Sequence, residues 1–338
     1  MSHQVTLKFP DGERMISVEE QESILDAAHR QGVNIIAECE LGLCGTCKAV
    51  RVEGDIAVDE DEPAGLTMMD LRNNAILCCQ SYALSELEIS FAYRLETIDN
   101  ARLFDFTAPV VELAYLADAV VKVVVDASDC PELAFLPGQY ANIEVPGSGQ
   151  DRSYSFSSSP QATGRIEFLI RVLPSGVMSD WLRERAKVGD RLRIKAPYGS
   201  FFLRDGDAPL LFVAGGTGVG PFLSMLDAIV ASGQIERRIR LLYGVNNRAA
   251  DLSSLDRLDA FRERLPNFTY DVAVAEPDPD WSGVSGFVTA LLREEDLHGG
   301  AAEPYLCGPP PMVEAARTWL ADKSIADERI HFERFVAS

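Results

Sequence analysis

The stretch ECELGLCGTCKAV, residues 38–50, holds three cysteines in one short loop: Cys39, Cys44 and Cys47. Four residues separate the first two cysteines, and two residues separate the second pair. This spacing, completed by a distant fourth cysteine, is typical of plant-type [2Fe–2S] clusters, whereas structural zinc sites generally use two separate ligand pairs. Gly42 and Gly45 fit a cluster, because glycines let the backbone approach the sulfides closely. The loop therefore predicts an iron–sulfur cluster.

A fourth ligand is expected in the sequence AILCCQ, residues 75–80, which we predict to be an extended strand. Neighbouring side chains of a strand point to opposite faces, so only one of Cys78 and Cys79 can face the loop. Geometry leaves both choices open. The cysteine that points away is expected to act as a small buried hydrophobic residue.

The length and composition are those of a globular protein with more than one domain. The chain has 338 residues, of which 47% are hydrophobic and 25% charged, and a single core rarely grows to this size. No run of about eighteen apolar residues occurs, so we expect no membrane contact. The N-terminal residues lack a signal-peptide pattern, and seven cysteines without an export signal indicate a reducing, cytoplasmic location.

The chain is strongly acidic, with 31 Lys and Arg against 52 Asp and Glu and a net charge of −21. A chain of this charge is not expected to bind nucleic acid through general attraction to phosphates. The first hundred residues carry 7 Lys and Arg against 19 Asp and Glu. Solubility explains this excess, and so does a docking face for a basic partner centred on residues 55–63; both interpretations stay open.

Hydrophobic periodicity divides the chain into three regions. The first hundred residues predict an α+β unit with a hairpin around PDGE and a helix at about 22–31, and residues 95–106 predict a linker. From residue 108, short strands between Gly and Pro turns predict an antiparallel β-barrel, interrupted by a helix at about 178–187. From residue 209, strands alternate with helices, one of them at 286–295, which predicts an α/β domain with a parallel sheet. The predicted domains are residues 1–95, 104–206 and 207–338.

Two motifs in the second region carry features of phosphate binding. RSYSFSS, residues 152–158, lies in a predicted strand, where Arg152 offers a bidentate donor to an anion. PSGVMSDWL begins a helix near Gly176 and Ser179, and free N–H groups at a helix N-terminus bind phosphate. An ordinary strand of alternating serine and aromatic residues remains the alternative for the first motif.

Two turns follow predicted strands in the third region. VAGGTGVGPF, residues 213–222, stands after a buried strand and opens a helix, a context in which the backbone approaches a dinucleotide pyrophosphate. LCGPPPM, residues 306–312, is a second strand-end turn and contains Cys307. A lone buried cysteine is more often packing than chemistry, so both interpretations of Cys307 stand at this stage.

The N-terminal region resembles plant-type ferredoxins, which have an α+β, β-grasp fold, and it shares their cysteine spacing. In that family the last ligand is typically followed by Gln, as in L-x-C-Q. LCCQ places Cys79 at that position and Cys78 at one usually held by a small residue. The resemblance therefore implies these cluster ligands: Cys39, Cys44, Cys47 and Cys79.

The second region resembles the flavin domain of the ferredoxin–NADP reductase superfamily. The family signature R-x-Y-S-x-x-S corresponds here to Arg152, Tyr154, Ser155 and Ser158. The resemblance implies that Arg152 pairs with the FAD pyrophosphate, that Tyr154 packs on the flavin and that the Ser155 hydroxyl approaches flavin N5. It also implies that the following helix start caps the pyrophosphate through Gly176, Val177, Met178 and Ser179.

The third region resembles the nucleotide-binding domain of the same superfamily, which carries C-G-P-x-x-M with the cysteine beside the nicotinamide ring. The chain end, HFERF, matches the family positions of an acidic residue and of an aromatic residue that covers the flavin. The resemblance implies catalytic roles for Ser155, Cys307, Glu333 and Phe335. It implies cofactor contacts by Gly215, Gly216, Thr217, Gly218, Cys307, Gly308, Pro309 and Phe335.

Nearly the whole chain resembles the reductase components of aromatic-ring-hydroxylating dioxygenases, in particular the benzoate, toluate and anthranilate group. Matching segments include LGLCGTC, LPGQY, RSYSFSS, GGTGVGPFLSML, CGPPPMVEA and FERF. The resemblance implies that electrons pass from NADH through FAD and the [2Fe–2S] cluster to a Rieske-type non-haem iron terminal oxygenase. FAD can accept two electrons together and release them singly, which suits a place between NADH and a one-electron cluster.

Two alternative functions and the choice of nucleotide stay open. Reductases of di-iron monooxygenases, of the phenol or methane hydroxylase type, share the domain order, and a redox sensor could use the same domains. The hydride-site candidates Ser155 and Cys307 argue against the sensor. After the second strand of the parallel sheet, Arg248 suits NADPH whereas Asp251 suits NADH, and the family resemblance favours NADH.

Overall fold

The computed structural model describes residues 2–37, 40–43, 45–61, 63, 65–95, 98, 103–159, 164–326 and 329–335. Contacts divide the chain into two compact units. The first comprises Met1–Leu103 and Tyr198–Ser200, and the second comprises Phe104–Pro197 and Phe201–Ser338. None of the described helices is long and apolar enough to span a membrane.

Among the described residues, short strands and the helices α1 (Ile24–Arg30) and α2 (Met68–Arg72) build the first unit, as the α+β pattern predicts. The strands are β1 (Ser2–Phe9), β2 (Gly12–Glu19), β3 (Lys48–Glu53), β4 (Ile56–Val58), β5 (Ala75–Leu77), β6 (Ser81–Ala83) and β7 (Leu87–Ser90). A five-stranded sheet has the order β2–β1–β7–β3–β5, and β4 pairs with β6 in a second sheet. β1 and β2 form the predicted hairpin, while β1 and β7 are parallel.

Helix α1 (Ile24–Arg30) packs its apolar side inward and confirms the helix predicted at 22–31. The Ser23 hydroxyl accepts a hydrogen bond from Asp26 N at 3.0 Å and so caps the helix start. Gly32 follows the helix with φ of +78°, a conformation that glycine adopts without strain and that ends helices. The buried face consists of Ile24, Leu25, Ala27 and Ala28.

The segment with the paired cysteines differs from its prediction. β5 ends at Leu77, Cys78–Gln80 forms a 3₁₀ turn, and β6 begins at Ser81. The prediction of one continuous strand is therefore wrong, and Cys78 and Cys79 do not lie on opposite faces of a strand. Cys78 N donates a hydrogen bond to Cys47 O at 3.1 Å, which holds the turn against the cysteine loop.

A six-stranded sheet of the second unit forms the predicted barrel, with the order β11–β10–β13–β8–β9–β12. Its strands are β8 (Phe104–Ala117), β9 (Val120–Asp126), β10 (Tyr140–Glu144), β11 (Asp151–Ser155), β12 (Arg165–Arg171) and β13 (Arg191–Tyr198). The pairs β8–β9, β8–β13, β9–β12 and β10–β11 are antiparallel. A bridge between Phe156 and Phe168 connects the two edge strands and closes the barrel.

The linker predicted at 95–106 extends too far along the chain. Phe104 already starts β8, because residues 104 and 105 pair with Ala196 and Lys195 of β13. The helix predicted at 178–187 is confirmed as α3 (Val177–Glu184), after helix α2 (Met68–Arg72) of the first unit.

A parallel sheet follows, with the order β17–β16–β15–β14–β18–β19. Its strands are β14 (Leu210–Gly215), β15 (Ile239–Asn247), β16 (Phe268–Glu276), β17 (Val284–Ser285), β18 (Glu303–Gly308) and β19 (His331–Arg334). Four helices of this region are α4 (Gly220–Ser232), α5 (Arg248–Asp251), α6 (Leu255–Arg264) and α7 (Pro310–Asp322). β14 is buried along its whole length, as expected for a central parallel strand.

The connection order reverses at β14, which pairs with β15 on one side and β18 on the other. In open parallel sheets, ligands bind at the carboxyl ends of the strands at such a switch point. The fold therefore brings the two predicted turns, which follow β14 and β18, to one edge of the sheet.

The helix predicted at 286–295 is wrong. The structure has two 3₁₀ segments instead, Val288–Leu291 and Glu294–Gly300, separated by extended backbone at Leu292 and Arg293. Val288 and Leu291 are buried in the apolar layer on one side of the sheet. Two β-branched residues, Val288 and Thr289, disfavour a regular helix here, and packing decides the local shape.

Candidate cofactor sites

The cysteine loop and the Cys78–Gln80 turn meet in the first unit. Cys47 Sγ donates a hydrogen bond to Cys79 Sγ at 3.3 Å, and these residues are only 3% and 7% exposed. The other two predicted ligands, Cys39 and Cys44, lie outside the described residues. The structure therefore brings two predicted ligands together, and the short sulfur–sulfur distance supports Cys79 as the fourth.

The neighbouring thiols differ in their tendency to ionise. The hydrogen bond from Cys47 lowers the pKa of the Cys79 thiol to about 7. Complete burial raises the pKa of Cys78 well above its ordinary value. The same hydrogen bond between Cys47 and Cys79 raises the pKa of the Cys47 thiol, so Cys47 and Cys79 share one proton and ionise as a pair.

Three glycines shape the cysteine loop. Gly42 and Gly45 both have φ of +76°, which glycine adopts without strain. A Cβ at Gly45 would lie 2.6 Å from Gly65 O, and one at Gly65 would lie 2.8 Å from Gly42 O. The loop backbone is thus packed more closely than other residues allow, which fits a loop whose amides surround a cluster. Gly65 was not predicted, and its one signal in the sequence is an isolated glycine in EPAGLT.

An ion pair next to the loop was also missed. Lys48 Nζ lies 2.7 Å from Asp70 Oδ1, and Asp70 forms a capping box with Thr67 at the start of α2. Burial alone would raise the pKa of Asp70, but the Lys48 charge and the hydrogen bonds from Thr67 together lower it. The pair fixes the residue after Cys47 to the helix that follows Gly65.

Strand β11 carries the first predicted flavin residues. Arg152 Nη1 donates to Asp151 O at 2.8 Å, and its Nη2 donates to Gln150 Oε1 at 2.9 Å. The Arg152 side chain is half-buried beside these acceptors. Tyr154 packs against the barrel core, and burial raises the pKa of its hydroxyl. These positions are compatible with the predicted contacts to pyrophosphate and flavin, which stay predictions.

Ser158 occupies a different kind of position. Its hydroxyl oxygen accepts a hydrogen bond from Glu167 N at 3.1 Å, so it faces β12. Its carbonyl oxygen accepts a hydrogen bond from Ser224 Oγ of α4 at 2.7 Å. These contacts give Ser158 a structural use in the barrel, and a contact with FAD stays a prediction.

The start of helix α3 offers room for an anion. Gly176 has φ of +140°, and a Cβ there would approach Ser179 Oγ no closer than 3.8 Å. Ser179 and Met178 are buried, Val177 is half-buried, and Ser179 Oγ accepts a hydrogen bond from Leu173 N at 3.0 Å. The residues fit the phosphate groups of FAD, because the N–H groups of a first helical turn attract anions.

Glu333 connects the barrel to the parallel sheet. Ser155 Oγ donates a hydrogen bond to Glu333 Oε2 at 3.0 Å, and Cys307 Sγ lies 3.8 Å from the same oxygen. Burial, and then the charge of Glu333, raise the pKa of the Cys307 thiol well above its ordinary value. Phe335 N donates to Gly308 O at 2.9 Å, and the Phe335 ring packs on the core of the sheet. The structure therefore brings Ser155 and Cys307 to the Glu333 carboxylate, while Phe335, two residues along the chain, bonds to Gly308.

The two turns at the switch point touch each other. A Cβ at Gly218 would lie 2.3 Å from Cys307 O, and one at Gly215 would lie 2.8 Å from Pro309 Cδ. Gly216 has φ of +56°, and a Cβ there would meet nothing within 4 Å. The surface formed by these two turns fits a dinucleotide that needs close backbone approach. The predicted contact residues lie here: Gly215, Gly216, Thr217, Gly218, Cys307, Gly308 and Pro309.

Arg248 and Asp251, the two residues considered for the choice between NADH and NADPH, follow β15 directly. Asp251 is 2% exposed; it accepts a hydrogen bond from Asn247 N at 3.0 Å and an ion pair from Arg171 at 2.8 Å. Asp251 is therefore buried and bonded to protein groups, which argues against a role at a ribose. Arg248 Nη1 lies 3.4 Å from Asp278 Oδ1, so an acidic side chain partly balances its charge.

A flavin-dependent reductase is the class of protein that this arrangement defines, because a flavin strand and a dinucleotide turn meet at Glu333. Family models agree with this conclusion. The 2Fe-2S iron-sulfur cluster binding domain matches residues 8–84, the oxidoreductase FAD-binding domain matches 109–203 and the oxidoreductase NAD-binding domain matches 212–318. The limits of the three domains themselves stay predictions.

Relatives match along the full chain. The anthranilate 1,2-dioxygenase electron transfer component of Acinetobacter baylyi is 40% identical, over 100% of this chain and 98% of that protein. The phenol 2-monooxygenase reductase component DmpP of Pseudomonas sp. strain CF600 is 36% identical, over 99% and 95%. The crystal structure of the Amycolatopsis cytochrome P450 reductase GcoB is 30% identical with a TM-score of 0.72, over 98% and 99%.

The chain belongs to the family of oxygenase electron transfer components that these relatives represent. It is a flavin and iron–sulfur oxidoreductase, in which electrons pass from NADH to FAD and then to a [2Fe–2S] cluster. The β-grasp, barrel and parallel-sheet fold that the sequence predicts is confirmed.

Proposed function

We propose that this protein is the reductase component of an aromatic-ring dioxygenase and supplies a Rieske-type terminal oxygenase. The observation that carries the proposal is the full-length likeness to dioxygenase electron transfer components, at 40% and 39% identity. This likeness favours the dioxygenase over the monooxygenase alternative. We also propose a cytoplasmic location, because the protein uses NADH and because cysteine ligands need a reducing compartment.

The residues around Glu333 suit the entry of electrons from NADH. FAD, when bound, supplies the hydride acceptor and the separation of an electron pair into single electrons. The Ser155 hydroxyl donates a hydrogen bond to the Glu333 carboxylate, which fixes the direction of the hydroxyl. The buried Cys307 thiol stays neutral at physiological pH, because its pKa is raised. The hydride site thus contains a hydroxyl held in one direction, that of Ser155, and a thiol that stays uncharged, that of Cys307.

The cysteine loop suits the exit of single electrons to the oxygenase. Leu41 and Leu43 lie on either side of Gly42 and are 69% and 59% exposed, although both are large apolar side chains. Acidic residues follow in the segment 55–63, where Asp59 accepts a hydrogen bond from Tyr82 at 3.0 Å. An apolar centre with an acidic surround fits a partner surface that carries Lys and Arg. We propose that this face docks the oxygenase.

The test supplies the purified reductase and NADH to three terminal oxygenases: a Rieske aromatic-acid dioxygenase, a di-iron phenol hydroxylase and a cytochrome P450. We expect hydroxylated product, coupled to NADH consumption, with the Rieske enzyme. Product with either other oxygenase and none with the Rieske enzyme would refute the proposal. Ferricyanide reduction by NADH, measured beside each assay, checks that electron entry at the flavin is intact when no product forms.

A further inference from the structure

The residues that follow the flavin strand are tied to β12 by several hydrogen bonds. Ser157 N donates to Glu167 O at 2.8 Å, and Ser157 Oγ donates to Glu167 Oε1 at 3.0 Å. Glu167 N donates in turn to Ser158 Oγ at 3.1 Å. Glu167 therefore holds residues 157 and 158, close after Ser155, through two main-chain bonds and one bond to its carboxylate.

Arg257 joins Glu167 to the nucleotide-binding half of the same unit. Its Nη1 donates to Glu167 Oε1 at 2.6 Å, and its Nη2 donates to Asp227 Oδ2 at 2.5 Å. Arg257 lies on α6, Asp227 on α4 and Glu167 on barrel strand β12. The three side chains are between 19% and 27% exposed, so solvent screens them less than a surface pair.

The barrel and α4 also approach each other next to this ion pair. Ser224 Oγ of α4 donates to Ser158 O at 2.7 Å, and both groups are buried. A Cβ at Gly220 would lie 3.6 Å from Ser157 Cβ, so the start of α4 is in contact with the same segment. Leu169 of β12 is part of the apolar core of the parallel sheet. Arg257 is thus the charged part of an interface that fixes β12 against α4.

We propose that Arg257 is a positioning residue for hydride transfer from NADH to the flavin. Ser155 is on the barrel side of this interface, while Cys307 and Glu333 are on the sheet side. The distances from Ser155 to Cys307 and Glu333 therefore depend on how the barrel is held against the parallel sheet. Without Arg257, the carboxylates of Glu167 and Asp227 face one gap with no cation between them, and their repulsion moves β12 away from α4. A displacement of this kind changes the transfer distance without removing any group that touches either cofactor.

This role predicts a particular kinetic signature. The limiting rate of a transfer step is sensitive to ångström-scale misplacement, which costs up to about a hundredfold. The predicted contacts to nucleotide and FAD lie on the switch-point turns, on β11 and at the start of α3, and Arg257→Met changes none of these residues. The proposal concerns the entry of electrons and stands whichever oxygenase receives them.

The experiment uses the FAD- and cluster-loaded protein and three variants: Arg257→Met, Arg257→Lys and Arg262→Met. Arg262 lies on the same helix in an exposed pair with Asp259, so its variant is a matched control. Stopped-flow absorbance under anaerobic conditions gives the limiting rate of flavin reduction, calorimetry gives the affinity for NAD⁺, and absorbance gives FAD content. Hydrogen exchange of the peptide 155–159 reports on the interface independently of activity.

For Arg257→Met we expect a limiting rate about tenfold lower or more, NAD⁺ affinity and FAD content within about twofold of the parent, and faster exchange in 155–159. Arg257→Lys restores part of the rate, because an ammonium still separates the carboxylates. Arg262→Met behaves like the parent.

The proposal is overturned if the limiting rate of Arg257→Met stays within about twofold, or if its loss merely follows lost FAD or lost nucleotide affinity. If Arg257→Met does not fold, Glu167→Gln carries the same test. A neutral amide still accepts from Ser157 but weakens the bond to Arg257, so an unchanged limiting rate there is equally contradictory.

Discussion

The carboxylate of Glu333 accepts a hydrogen bond from the Ser155 hydroxyl at 3.0 Å, although 178 residues separate them in sequence. Ser155 ends a barrel strand, whereas Glu333 lies on the last strand of the parallel sheet. Cys307 approaches the same carboxylate oxygen at 3.8 Å. One acidic side chain therefore aligns a residue of the flavin strand with a residue of the nucleotide turn.

The raised pKa of Cys307 predicts a pH-independent thiol at the hydride site. Burial and the nearby Glu333 charge both disfavour the thiolate, so the neutral thiol persists through pH 9 and no ionisation of Cys307 enters the rate. We expect the limiting rate of flavin reduction by NADH to show no inflection from this group between about pH 6 and pH 9. An inflection in that range that disappears in Cys307→Ala would contradict the assignment.

Substitution of the paired cysteines should distinguish ligand from packing. Cys79→Ser removes a sulfur that lies 3.3 Å from Cys47 Sγ, so we expect loss of most iron and sulfide and of the visible cluster spectrum. Cys78→Ala removes only a buried sulfur and should keep the cluster, at a stability cost of about 1 kcal/mol. Iron and sulfide content of the two purified variants decides between them, and the reverse pattern would assign Cys78 as ligand.

Gly45→Ala should impair cluster assembly through a steric clash. A methyl group at this position would lie 2.6 Å from Gly65 O, in addition to the strain of a φ of +76°. The matched control is Gly147→Ala, because Gly147 has φ of +77° and a Cβ there meets nothing within 4 Å.

Each glycine substitution costs about 1 kcal/mol of backbone strain, measured as a lower melting temperature. Only Gly45→Ala should also lower the ratio of iron to protein. Equal iron content in the two variants would show that close packing against Gly65 does not matter for the cluster.

Nucleotide preference should respond to the partner of Arg248. Asp278 partly balances its charge at 3.4 Å, and Asp278→Asn releases the guanidinium while keeping the turn that Asp278 caps. We expect kcat/KM for NADPH to rise about two- to fivefold relative to NADH, the size of an exposed ion pair. Asp280→Asn, two residues away, is the control, and an equal shift in both variants would remove Arg248 from the explanation.

Much of the fold was predictable because its elements have strong local signals. The hairpin of β1 and β2, helix α1 and the alternation of strands and helices after residue 209 follow from periodicity, turns and caps. The 3₁₀ turn at Cys78–Gln80 was not predictable, since it depends on a hydrogen bond to Cys47. The helix predicted at 286–295 was wrong for a similar reason, because burial of Val288 and Leu291 decides the local backbone shape.

The candidate site residues also divide into those with a local sequence signal and those without one. Motifs with fixed spacing, such as the cysteine loop and the turn at Cys307, could be named from sequence because backbone geometry restricts their residues. Gly65 and Arg257 could not, since each acts through a partner that is distant in sequence or outside any motif. Asp251 shows the opposite error, because an acidic residue at a plausible ribose position is buried against Arg171.

An anaerobic titration with NADH tests the central claim, that one chain passes electrons from NADH through FAD to its cluster. FAD takes two electrons and the [2Fe–2S] cluster takes one, so complete reduction needs about 1.5 NADH per protein. The account predicts that flavin and cluster absorbance both bleach, with an end point at about 1.5 equivalents. An end point at about 1.0 equivalent, with the cluster absorbance unchanged, would contradict it by showing that electrons stop at the flavin.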